Sequence, residues 1–284
     1  MPAFYNQATL TYNNQTMLSN IVTGEVVEVL SAVKTSVSQS YRTGEPVTYA
    51  VSIINAGNTA YTNLTVTDDL GAYSFGTGTL APLDYVAGSV RLFVDGVLQP
   101  APTVTSIQPL TITGINVPAG GDAVLLYSAQ ANAFAPLDED GIITNTATVT
   151  GAGLSTPIIA SDTLPVDATA ILSIIKALNP VNVVENEPLT YTFTIQNTST
   201  TPATATDNLT VTDTFDPILE IQSVTLNGVP LAEGTGYTYN AATGAFATLP
   251  GVITVPGATV MQDPTTGAWM VTPGNAVLAV TGVI

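Results

Sequence analysis

One segment of this chain is written twice, and the second copy is cut at a different place from the first. Glu45-Pro-Val-Thr-Tyr-Ala-Val-Ser-Ile-Ile-Asn55 returns 142 positions on (45 to 187) as Glu187-Pro-Leu-Thr-Tyr-Thr-Phe-Thr-Ile-Gln-Asn197. Asn63-Leu-Thr-Val-Thr-Asp68 returns as Asn208-Leu-Thr-Val-Thr-Asp213. Ser89-Val90 before Asp95-Gly96 returns as Ser223-Val224 before Asn227-Gly228. A repeat of this length is one domain used twice. After its last shared strand, around Leu125, the first copy runs on through Asn145 and the pair Ser161-Asp162. The second copy reaches Ile284 without a counterpart of those strands. Their match stands at the other end: Tyr5-Asn6-Gln7-Ala8-Thr9-Leu10-Thr11-Tyr12 resembles Thr144-Asn145-Thr146-Ala147-Thr148-Val149-Thr150, and Ser19-Asn20 matches Ser161-Asp162.

Each copy reads as β. Val47, Tyr49, Val51 and Ile53 alternate with polar or small residues, as do Leu189, Tyr191, Phe193 and Ile195; a period of two is a strand with one buried face. Asp95-Gly96 and Asn227-Gly228 are hairpin turn signals. The expected fold class is all-β, two tandem immunoglobulin-like β-sandwiches. Residues 1–30 are expected to be an N-terminal hairpin extension, 31–167 the first domain, and 168–284 a second domain lacking its closing strands. A sandwich short of strands exposes an edge. The expectation is strand donation: the hairpin of one subunit, through Asn6, Ala8, Leu10, Tyr12, Ser19 and Asn20, completes the second domain of the next. Such a contact is heterologous and builds an open filament when it does not close. The hairpin folding back onto its own second domain is the other arrangement the sequence allows.

Composition removes most other functions. There are 21 acidic residues against 4 basic ones, a net charge of −17, no His and no Cys. Such a chain has no footprint for nucleic acid or anionic lipid, and no imidazole base, thiolate, disulfide or His/Cys metal site. No enzyme activity and no cofactor are expected. No stretch is apolar enough for a membrane helix, and residues from Met1 onward lack the pattern of a signal peptide.

The chain's two lysines, Lys34 and Lys176, are also 142 positions apart and so equivalent. Strand parity puts Lys176 on the face of Leu172 and Ile174, and Lys34 with Leu30 and Ala32. Asp68 shares parity with Leu64 and Val66, Asp213 with Leu209 and Val211, Asn145 with Ile143 and Val149, and Asn6 with Ala8 and Leu10. Buried polar groups are costly and need a reason. Burial lowers a lysine pKa and raises that of a carboxyl, so an uncharged amine can attack an asparagine carboxamide and expel ammonia. The expected isopeptide sets are Lys34, Asp68 and Asn145 within one chain, and Lys176 and Asp213 with Asn6 of another. A hydrogen-bonded ion pair fixing strand register is the alternative. Glu45 and Glu187, each before a proline, are fallback carboxylates.

The strand Gly44-Glu-Pro-Val-Thr-Tyr49, the turn Asn55-Ala-Gly-Asn58, the strand end Thr65-Val-Thr-Asp68 and the strand Thr144-Asn-Thr-Ala147 resemble the bacterial surface repeats of the domain-of-unknown-function-eleven type. The resemblance implies an immunoglobulin-like sandwich in extracellular stalks, whose relatives carry Lys–Asn isopeptides. Without a recognisable signal, the chain is similar to subunits of clostridial endospore appendages. That resemblance implies synthesis in the mother-cell cytoplasm and release onto the spore surface on lysis. The expected function is a self-assembling filament subunit, its partner a second copy of itself. The rival reading is a monomeric surface adhesin binding a carbohydrate, a receptor or calcium, with Trp269, Tyr237 and Tyr239 as aromatic contacts. The acidic loop Asp138-Glu139-Asp140 is the one weak metal candidate, without EF-hand spacing.

Overall fold

In the computed structural model, which describes residues 3–25, 28–184 and 186–284, the chain is built of strands, with one 3-10 turn at Ala205–Asp207. It divides into two compact units, Met1–Asn132 with Thr144–Leu164, and Ala133–Ile143 with Pro165–Ile284.

The first four strands, β1 (Ala3–Asn6), β2 (Thr9–Tyr12), β3 (Gln15–Leu18) and β4 (Val22–Glu25), make one interrupted hairpin in which β1 pairs with β4 and β2 with β3. Its tip is Asn13-Asn14, with φ of 49° and 59°, a conformation asparagine tolerates best after glycine. Among the described residues neither pair joins another sheet. Phe4, Tyr5, Leu10, Tyr12, Met17 and Leu18 are each more than half exposed. A two-stranded hairpin with nothing packed on it is at best marginally stable in water.

The sandwich of the first unit runs β5 (Leu30–Ser36), β6 (Pro46–Asn55), β7 (Tyr61–Asp68), β8 (Tyr73–Phe75), β9 (Gly78–Leu80), β10 (Leu83–Tyr85), β11 (Arg91–Val94), β12 (Val97–Leu98), β13 (Thr103–Ile107), β14 (Leu110–Val117), β15 (Asp122–Ala131), β16 (Ile142–Thr150) and β17 (Ile158–Pro165). One sheet has the order β12-β11-β15-β6-β5, with β10 also on β15, and the other β13-β14-β7-β16-β17. The alternation read from the sequence places Val47, Tyr49, Val51 and Ile53 in the core, together with Leu64, Val66, Leu125 and Tyr127. Asp95-Gly96 closes β11–β12 with both φ positive, as Asn227-Gly228 does in the second unit.

The second unit carries β18 (Leu172–Asn179), β19 (Leu189–Asn197), β20 (Thr212–Thr214), β21 (Glu220–Leu226), β22 (Val229–Pro230), β23 (Tyr237–Asn240), β24 (Ala245–Thr248), β25 (Thr259–Gln262), β26 (Trp269–Thr272) and β27 (Gly274–Val283). Its larger sheet, β18-β19-β27-β21-β22, repeats the order β5-β6-β15-β11-β12. A second sheet, β23-β24-β20, ends at β20 among the described residues, and β25 and β26 pair with each other in a third. By the repeat, β20 is the counterpart of β7, and in the first unit β7 goes on to pair with β16, which pairs with β17.

The turn after the shared strand is the same in both copies, despite the longer Asn197-Thr-Ser-Thr loop. Asn55 is 1% exposed and its amide donates to the Thr59 and Pro118 carbonyls; Asn197 is 0% exposed and donates to those of Thr201 and Pro256. One expectation fails locally. The strand expected over Asn208–Asp213 is ordered as a strand only at Thr212–Thr214. With a neighbour on one side alone, its ladder is short, and only the Val211–Thr248 backbone and side-chain bonds extend it.

Candidate functional site

In the first unit the three residues expected from parity come together in the core. Lys34 stands on β5, Asp68 at the end of β7 and Asn145 on β16; they are 2%, 0% and 0% exposed. Lys34 Nζ lies 2.5 Å from Asp68 Oδ2. The ammonium sits over the Tyr49 ring at 4.8 Å and the Tyr127 ring at 5.8 Å, so aromatic faces replace the water it has lost. Burial holds the Lys34 pKa below its ordinary value and pushes that of Asp68 up, against the attraction of the pair. Both shifts favour the uncharged forms, an amine and a carboxylic acid.

A tight turn locks Asn145 beside this pair. Leu70 and Gly71 have φ of 57° and 73°, and a buried leucine in the left-handed region is a strained position. The strain aims main-chain donors inward. Leu70 N–H donates to Asp68 Oδ1 at 3.0 Å, and Gly71 N–H donates to Asn145 Oδ1 at 3.2 Å and to Asp69 Oδ1 at 2.9 Å. Asp69 Oδ1 also accepts the N–H of Thr146 at 2.9 Å, tying the turn to β16. The carboxamide oxygen therefore faces a backbone donor, the arrangement that stabilises an oxyanion. Sequence reasoning missed this turn, and it missed Tyr127. The tyrosine's inward parity on β15, beside Leu125 and Ala129, buries a hydroxyl that needs a partner, and that was the available signal.

The second unit holds the same pair in the open. Lys176 on β18 and Asp213 on β20 form an ion pair, but the side chains are 41% and 18% exposed, and all but one residue of β18 are exposed on either face. The Lys176 ammonium lies 4.5 Å from the Tyr191 ring centre, 5.4 Å from Phe193 and 5.6 Å from Phe215. The side chain turns toward Asp213 and these rings, without the cover that Lys34 has. No carboxamide hydrogen-bonds this pair among the described residues. Asn6, Ala8, Leu10 and Tyr12 are exposed, with Asn6 paired to Val22. Ser19 closes the hairpin: its N–H donates to the Ala8 carbonyl and its Oγ accepts the Ala8 N–H, both at 2.9 Å, while its hydroxyl donates to the Asn20 carbonyl.

Other expected groups fall elsewhere. Glu45 is exposed beside Arg42 at 3.9 Å, and the backbone N–H of Glu187 bonds the Val184 carbonyl; the ion pairs of Lys34 and Lys176 among the described residues are with Asp68 and Asp213. Tyr237 is 8% exposed with its ring 5.5 Å from Phe246, and the Tyr239 hydroxyl donates to the Leu219 carbonyl; both rings pack with the core of the second unit. Trp269 is half-buried, its indole N–H without a partner among the described residues. Asp138, Glu139 and Asp140 are exposed, and among the described residues no group of acidic side chains is arranged to hold a metal ion. No described helix is long and apolar enough to cross a membrane.

No protein-family model matches this chain. No curated protein matches it either. Among solved structures, the N-terminal domain of the Streptococcus gordonii adhesin Sgo0707 is similar at TM-score 0.36 and 14% identity, over 54% of this chain and 35% of that one. This chain thus spans about a third of that domain's length. The RrgA Jo.In complex is similar at 0.36 and 11%, over 57% and 93%, and the pilus backbone RrgB of Streptococcus pneumoniae at 0.33 and 13%, over 90% and 50%. At these scores and identities the likeness says nothing of what this chain does, and function is read from its residues.

Proposed function

We propose that this chain is a self-assembling structural subunit whose N-terminal hairpin completes the second sandwich of a neighbouring copy, building a filament outside the cell or spore. The observation that carries the reading is the free edge of β20, beside an uncovered Lys176–Asp213 pair, in a chain whose own hairpin repeats the strands that cover Lys34–Asp68. In the first unit Ala147 pairs with Asp68 and Val149 with Val66. Ala8 and Leu10, placed in the same register, meet Asp213 and Val211 and bring Asn6 to the position that Asn145 holds. Asp162 on β17 accepts the Ser36 N–H at 2.6 Å; Asn20 and Leu178 are the matching pair. Docking also covers the hairpin's exposed aromatic and aliphatic side chains, a gain of about 1.5–3 kcal/mol for each one fully buried.

The buried triad of the first unit, and the triad that docking would complete in the second, are reactive sets. Lys34 joins to Asn145 within one chain, with loss of ammonia, and Lys176 joins to Asn6 of the next. The first bond staples a sandwich; the second makes the filament covalent. Each is a single event on the chain's own side chains.

Electron microscopy and a boiled denaturing gel of the full chain, with intact mass on each band, test the reading. Expected are filaments and a ladder of covalent multimers, reduced to monomer by Lys176→Ala or Asn6→Ala. Deleting residues 1–25 is expected to leave folded monomers. Normal filaments from that truncated chain would sink strand donation.

A further inference from the structure

Tyr127 joins the two ends of the first triad. Its hydroxyl donates to Asp68 Oδ2 at 2.5 Å and accepts from Asn145 Nδ2 at 3.4 Å. It is fully buried on β15, directly across from Tyr49, whose ring stacks on it at 5.7 Å. Lys34 Nζ, Asp68 Oδ2, Tyr127 oxygen and Asn145 Nδ2 therefore form an unbroken hydrogen-bonded chain from the nucleophile to the leaving group, sealed from water.

We propose that Tyr127 is the proton relay of the Lys34–Asn145 reaction, delivering to Asn145 Nδ2 the proton with which it departs. The inference rests on the isopeptide reading of the first unit. Lys34 first gives a proton to Asp68 Oδ2 and becomes a neutral amine. Its lone pair attacks Asn145 Cγ, and the carboxamide oxygen takes negative charge facing the Gly71 N–H. The protonated Asp68 now donates to the Tyr127 oxygen, so the polarity of the chain reverses, and the phenol passes its own proton to Nδ2. The Cγ–Nδ2 bond breaks with its electrons on nitrogen, releasing ammonia. Asp68, a carboxylate again, takes the second proton from Nζ. One Nζ–Cγ bond forms, one Cγ–Nδ2 bond breaks, Lys34 keeps one hydrogen, and Asp68 ends protonated.

The second unit lacks this equipment. Across from Tyr191, the counterpart of Tyr49, stands Val280, with no hydroxyl to relay. The counterparts of Leu70 and Gly71 are Phe215, which is not left-handed, and Asp216. The first unit is thus built to close its bond unaided. The Lys176–Asn6 bond has no tyrosine at the relay position and is expected to form more slowly.

The test follows the full chain, isolated in urea from inclusion bodies and folded by dilution, by intact mass over time. Wild type is expected to lose one ammonia after folding. Tyr127→Phe, which keeps the ring, is expected to do so about 100-fold more slowly or worse, the usual weight of a positioned proton donor. A chain with 3,5-difluorotyrosine at 127 keeps the hydroxyl and acidifies it; its rate is expected to change while its Tm does not. It decides the question if the phenylalanine variant fails to fold. A wild-type rate in either chain overturns the relay and leaves the bond standing. A wild-type chain that folds and keeps its full mass overturns the bond and the relay together.

Discussion

Lys34 and Lys176 occupy one position in two copies, and what separates them is cover. The side chains of Lys34 and Asp68 are 0% exposed, while Lys176 keeps 41%. Removing one partner of a buried pair strands the other charge, at about 3–5 kcal/mol, whereas an exposed pair is worth about 1 kcal/mol or less. Measured in an Asn6→Ala/Asn145→Ala background, where neither proposed bond can form, Lys34→Ala is expected to lower stability in urea by the larger amount and Lys176→Ala by the smaller. Equal losses would mean that the second site is closed in the free chain. At this scale much was legible: the lysine spacing and the parity of Asp68 and Asn145 located the triad. Tyr127 and the Leu70-Gly71 turn were not, because a lone inward tyrosine looks like any core residue until its hydroxyl has partners. A left-handed leucine leaves no mark in a sequence at all.

The strands themselves followed from alternation. Tyr49, Val51 and Ile53 are buried as their period of two requires, and the Asp-Gly and Asn-Gly turns fall where hairpins close. Asn208–Asp213 fell short of its expected strand, because a ladder needs neighbours and β20 has one. Local motif predicts capacity to be a strand; the partner decides its length. The loop joining β25 to β26 offers a test at the same scale. Asp263 accepts the N–H groups of Thr265 and Thr266 at 2.7 and 3.0 Å, which hold its pKa below the ordinary 3.8. A carboxylate with a lowered folded pKa adds stability that is complete above the ordinary value and fades as pH falls through the folded one. Amide exchange at Thr265 and Thr266 is expected to quicken below about pH 4 relative to other turns. Asp263→Asn is expected to abolish that acid dependence, and an unchanged profile in the variant would contradict the assignment.

For the whole molecule, charge would set the terms of the proposed assembly. Copies with a net charge of −17 repel each other before any strand can dock, and salt shortens the reach of that repulsion to about 8 Å at physiological strength. Filament elongation followed by light scattering is expected to speed up between about 0.01 and 0.15 M salt. Slowing with salt would point to attraction between unlike charges as the driving contact.

Lys34 lies on β5, the first strand of its sandwich, and Asn145 on β16, the last but one. A tie between them encloses nearly the whole unit. Under tension along the chain, load entering at β5 crosses directly to β16. The strands between, from Pro46 to Ala131, stay out of the line of force. With the proposed tie in place, extension of a subunit would be limited to the slack outside it, and a fibre assembled as proposed would behave as a chain of inextensible links.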